Sequence, residues 1–133
     1  MADKPVLVGQ HNPYGGEDYY ALYPSPDGCS GHRLCCLVLG MRLQDYMEAF
    51  ERINLIRYSR VKYRWSLRAA RAAAAQLDGR LVLLGAKVCA AFGLPFRPFT
   101  APRPGTVILP HPSGRCRLWN QDGAFERARA LVA

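Results

Sequence analysis

Leu81-Val82-Leu83-Leu84-Gly85-Ala86-Lys87-Val88-Cys89-Ala90-Ala91-Phe92-Gly93 carries the clearest structural signal in this chain. Four consecutive apolar residues, Leu81 to Leu84, predict a strand covered on both faces, since a strand with one face in water alternates apolar and polar side chains. Gly85 closes that strand, and Ala86 to Phe92 reads as a short helix ended by Gly93 and Pro95. A buried strand running straight into a helix is the repeating half of a parallel α/β sheet.

Similar units lie on either side. Val6-Leu-Val-Gly9 predicts a first strand, Ile53-Asn54-Leu55-Ile56 a second and Thr106-Val-Ile-Leu109 a fourth. Between them, Ser30 is placed to cap a helix running through Gly40, and Leu43 to Phe50 carries Leu43, Tyr46, Met47 and Phe50 at helical spacing. Val61 to Leu77 predicts the longest helix, with Trp65, Ala69, Ala72, Ala73 and Gln76 on one face and Asp78-Gly79 at its end. Asp122 is placed to cap a last helix, Gly123 to Val132. Alternating strands and helices imply right-handed crossovers, hence a three-layer α/β/α sandwich around a four-stranded parallel sheet. The 133 residues suit one domain spanning 1–133.

Eighteen Lys and Arg against ten Asp and Glu give a formal charge of +8, which favours a polyanionic partner, nucleic acid first. Cys29, Cys35, Cys36, Cys89 and Cys116 are odd in number, and the pair Cys35-Cys36 lies in the apolar run Leu34 to Leu39, so reduced core thiols are expected. No Cys/His spacing typical of zinc occurs, and neither a metal site nor another cofactor is expected. No signal pattern follows Met1, and no apolar stretch reaches the ~20 residues of a membrane span. A soluble, cytoplasmic monomer without a membrane partner is the expectation.

In open α/β sheets ligands bind beyond the carboxyl ends of the strands. The unusual polar groups sit there: Gln10, His11 and Asn12 after the first strand, Asn54 in the second, His111 and Ser113 after the fourth. Gln10 to Cys29 is a long polar loop without regular period, and such loops in compact domains are usually functional. Arg57, Arg60, Lys62, Arg64, Arg68 and Arg71 read as a solvated helix face. The Pro-rich segment Phe96 to Pro104 takes no assignment.

Gly9-Gln10-His11-Asn12-Pro13-Tyr14 resembles the water-activating loop of the uracil-DNA glycosylase superfamily, which reads Gly-Gln-Asp-Pro-Tyr in one branch and Gly-x-Asn-Pro-Gly in another. His111-Pro112-Ser113 is similar to that family's His-Pro-Ser loop, and Ile53-Asn54 resembles the strand whose Asn reads the uracil edge. The motifs follow the family's order through nearly the whole chain, which would be a trimmed version. One departure is His11, an extra residue ahead of Asn12. A second is the lack of any cysteine before Gly9, so the iron–sulfur cluster of some branches is not expected.

The resemblance implies hydrolysis of the N-glycosidic bond of uracil, or a related 5-substituted uracil, flipped out of DNA. His111 would donate to the base O2 as charge gathers there. Asn12 would position the water without acting as a base, and His11 either replaces the missing carboxylate or faces solvent. Asn54 would read the O4 and N3–H edge, Tyr14 would exclude the thymine methyl, and Tyr23, ahead of Tyr19 and Tyr20, would stack on the base. Gln10 joins the substrate-binding loop. Ser25 and Ser113 would contact phosphates, Arg115 or Leu118 would fill the gap left by the flipped base, and Arg117 would hold phosphate. Two other functions fit the same residues: a DNA-binding, base-sensing protein that does not hydrolyse, and an enzyme of free nucleosides or nucleotides.

Overall fold

The computed structural model of the protein describes residues 4–11, 18–56 and 65–133. Five strands form one mixed sheet in the order β2-β1-β3-β5-β4, with β1 at Val6–Gly9, β2 at Glu51–Asn54, β3 at Leu81–Leu84, β4 at Thr100–Arg103 and β5 at Thr106–Leu109. β1, β2, β3 and β5 are parallel, and β4 runs antiparallel along β5. The register pairs Gly9 with Asn54, Val8 with Leu83 and Leu84 with Leu109, so the parallel strands end level at one edge.

Each strand divides its apolar residues between two cores. Leu7, Val82, Leu84 and Leu109 pack with α1 (Ser30–His32) and its continuation, with α2 (Leu43–Ala49), and with the carboxyl-terminal helix Ala124–Val132. Val8, Leu81, Leu83 and Ile108 pack on the other face against α3 (Leu67–Ala74) and α4 (Ala86–Ala91). We number the carboxyl-terminal helix α5. The result is an α/β sandwich of three layers, as the sequence implies, but with five strands.

The fifth strand, β4, is a correction to the four-stranded parallel sheet. Thr100-Ala101-Pro102-Arg103 lacks apolar alternation and contains a proline, and it is tolerated because an edge strand can spare one backbone donor. It covers the otherwise open edge of β5. Gly105, at φ +78°, makes the turn between the two strands.

Other boundaries also shift. The segment Arg33–Val38 continues α1 as a π-helix, its wider turn closed by Leu39 N donating to Leu34 O at 2.9 Å. Cys29, not Ser30, is the cap, its sulfur accepting from His32 N at 3.4 Å. β2 begins at Glu51 and ends at Asn54, so Leu55 and Ile56 lie beyond it. Among the described residues α3 is shorter than expected and buries Ala70 and Ala74, whereas Ala69, Ala72 and Gln76 are exposed. Leu43 is 48 % exposed, so the buried stripe of α2 consists of Tyr46 with half-buried Met47, adjoining Phe50. Gly123, in the left-handed conformation, stands at the cap of α5 without a side-chain bond from Asp122.

Tyr46 is fully buried, and its hydroxyl donates to Leu22 O at 2.8 Å. Leu22 has φ +51°, a conformation disfavoured for a residue with a Cβ, so this bond helps to hold the loop that precedes α1. Tyr46→Phe removes the donor and leaves the carbonyl unsatisfied. It is expected to cost about 1–3 kcal/mol in urea unfolding, with the denaturant slope unchanged.

Candidate active site

The level strand ends bring four segments of the chain together. Gly9 to His11 leave β1, Asn54 is the last residue of β2, Leu84 ends β3, and His111 lies two residues past β5. Among the described residues they enclose, with the loop 20–31, a cavity of about 670 Å³. That volume lies in the range of small-molecule sites, about 300–1,000 Å³. Gln10, His11, Tyr23, Ser25, Asn54, His111, Ser113 and Arg115 all line it. Asn12 and Tyr14 lie outside the described residues, as do Arg57, Arg60, Lys62 and Arg64. Arg117 and Leu118 begin a short 3-10 turn, Arg117–Asn120, and do not line the cavity; Arg117 is exposed and Leu118 half-buried.

The loop after β5 is held from three sides. Trp119 Nε1 donates to His111 O at 2.9 Å, and Arg33 Nε donates to Pro112 O at 3.1 Å. Ser113 N donates to His111 Nδ1 at 3.1 Å. A ring nitrogen that accepts carries no proton, so the neutral imidazole holds its proton on Nε2. Burial, then the nearby His11, depresses the pKa of His111 below the ordinary 6.5. At neutral pH His111 is therefore a one-proton donor through Nε2.

His11 is likewise held below 6.5, by burial and then by the positive charge of Lys87. It is an uncharged imidazole at neutral pH. No carboxylate lines the cavity among the described residues. Nor do any three His, Cys, Asp or Glu among the described residues cluster as metal ligands.

The Asn54 amide lies close against Gly9. A Cβ placed on Gly9 would stand 2.6 Å from Asn54 Oδ1 and 3.4 Å from the Leu22 side chain, so only glycine leaves the amide where it is. On the far wall, a Cβ on Gly31 would overlap the carbonyl groups of Leu22 and Tyr23, which lets α1 sit directly against the loop. Ser25 is exposed and joined to Pro26 by a cis peptide bond.

Several participants have no motif. Tyr20, Leu22, Cys29 and Gly31 line the cavity, and Arg33 and Trp119 position the His111 loop from outside it. The cluster Gly28-Cys29-Ser30-Gly31 at the end of the long loop was the available signal, since small residues permit close backbone approach. Nothing in the sequence pairs Arg33 with Pro112, 79 positions away.

The two histidines link the site to stability. Each has a folded pKa below 6.5, so under about pH 6.5 the unfolded chain binds protons that the folded chain refuses. Stability is full above that value and falls as pH drops toward the folded pKa values. Urea unfolding at about pH 7.5 and about pH 5.5 is expected to give a lower midpoint at the acid value, and a smaller decrease in His111→Gln. Neither a protein-family model, nor a curated protein, nor a solved structure matches this chain.

Proposed function

We propose that this protein is a DNA glycosylase that hydrolyses the N-glycosidic bond of uracil, or of a related 5-substituted uracil, flipped into the cavity. The observation that carries the reading is the convergence of His11, Asn54 and His111 on one cavity at the level strand ends. The sequence likeness of their three segments to glycosylase motifs adds to it.

The chemistry needs a stabilised base anion and a placed water. The C1′–N1 bond breaks with its electron pair leaving on the base, and His111 Nε2–H donates to O2 as that charge gathers. A neutral donor suits this task because it adds no competing proton transfer. Water oxygen bonds to C1′, and its proton passes to the neutral His11; the departing uracil anion takes a proton from solvent. Asn54 presents an amide to the base edge, accepting from N3–H and donating to O4, a pattern that cytosine reverses. The charge of +8 draws the DNA in, with exposed Arg115 at the cavity.

A labelled oligonucleotide carrying uracil, single-stranded or opposite guanine, tests the reading through alkali-labile breaks. Breaks are expected, slowed on the order of 10²–10³-fold in His111→Ala with affinity nearly kept. Uracil DNA that is bound tightly and left intact would instead indicate a base-sensing protein. Cleavage of free nucleosides with DNA binding insensitive to salt would indicate a nucleoside enzyme.

Gly9→Ala is a second test. The added methyl group displaces the Asn54 amide while every catalytic side chain remains. Cleavage is expected to fall on the order of a hundredfold, because small displacements of positioning groups carry that cost. Thermal unfolding reports separately whether the fold persists.

A further inference from the structure

Tyr19, Tyr20 and Tyr23 form a cluster beside the cavity, with ring centroids 5.2, 5.3 and 5.6 Å apart. Tyr20 and Tyr23 line the cavity and Tyr19 does not, so Tyr19 stands one ring outside its wall. Tyr19 is 55 % exposed and Tyr20 46 %. Large aromatic rings held open to water at the edge of a cavity need a physical reason.

The cluster is braced from below. Arg52 of β2 donates through Nη1 to Tyr19 O and Ala21 O, each at 3.1 Å. Its guanidinium also lies 5.4 Å from the Tyr19 ring centroid and 5.8 Å from that of Tyr23. Both distances are within reach of a cation–π attraction. One side chain thus fixes both the backbone and the rings, and the platform is preorganised.

We propose that Tyr19, together with the outer part of Tyr20, is a stacking site for the nucleobase next to the one in the cavity, and that its preferred occupant is single-stranded DNA. This rests on the nucleic-acid reading above and adds a strand preference to it. A strand that delivers one base into the cavity passes its neighbour over the cavity edge, where the rings stand. In a duplex that neighbour remains stacked within its own helix; in a single strand its face is free to settle on a tyrosine. The net positive charge and exposed Arg115 favour a polyanion over an apolar protein surface.

The test uses a single strand containing a 2′-fluorinated deoxyuridine that resists hydrolysis, with 2-aminopurine on its 5′ or its 3′ side. Binding is expected to quench the fluorophore at one of the two flanks. Tyr19→Phe keeps the quenching, whereas Tyr19→Ala and Tyr19→Leu lose it and bind the strand about tenfold more weakly. Affinity for the matching duplex is expected to change by less than about twofold. Quenching and affinity unchanged in Tyr19→Ala and Tyr19→Leu would overturn the proposal, as would no single-strand binding by the unaltered protein. Tyr19-dependent quenching that is equal on a thymine strand supports the platform and removes the uracil reading, so the two failures are distinct.

Discussion

The hydrogen bonds that hold Gly9 beside Asn54, Val8 beside Leu83 and Leu84 beside Leu109 set the level at which Gln10, Asn54 and His111 reach the cavity. Parallel strands need long crossovers, and these separate Gly9, Asn54, Leu84 and His111 widely in the chain. Pairing in register brings their ends back to one plane. A slip of one residue in β2 would turn Asn54 toward the opposite face and carry Ile53 into its place. β2 is a part-buried edge strand whose Ile53 packs against the core of Val8 and Leu83, so such a slip would also withdraw Ile53 from that core, and packing favours the geometry of the site.

Above that plane the loops are held by individual long side chains reaching to backbone carbonyls. Tyr46 reaches Leu22, Arg52 reaches Tyr19 and Ala21, Arg33 reaches Pro112, and Trp119 reaches His111. The donors to Leu22, Ala21, Pro112 and His111 each supply the partner that a part-buried carbonyl outside regular structure would otherwise lack. The π-helix belongs to the same arrangement. Its last carbonyls, Leu37 O and Val38 O, accept from Arg129 of α5, which ties the π-helix to the carboxyl-terminal helix beside it in the same layer.

β1 and β3 were legible as short apolar runs closing on glycine and β5 as a β-branched apolar run, and all three stand as the sequence implies. β4 was hidden because an edge strand needs no apolar pattern and tolerates Pro102. The face of α3 was misplaced because alanine occupies both its buried and its exposed positions, leaving periodicity little contrast. In the site, the motif residues Gln10, His11, Asn54, His111 and Ser113 were legible as polar groups following strands. Arg33, Arg52 and Trp119 were not. Their roles depend on which carbonyl lies within reach, a tertiary property that no local spacing records.

The distribution of charge within the site follows from the same physics. The protein carries a large positive excess, yet the polar groups deep in the cavity are amides, hydroxyls and two histidines kept neutral by burial. An unpaired charge in such a place would be penalised by desolvation, whereas a neutral donor can sit there and still meet a negative charge when one forms. Lys87 contributes from outside by holding His11 unprotonated, and exposed Arg115 supplies attraction where water screens its cost. On the proposed glycosylase reading, long-range capture and local chemistry fall to different residues. Removing a surface charge should alter encounter with a polyanion, whereas disturbing His111 or its supports should alter what happens after the ligand has entered.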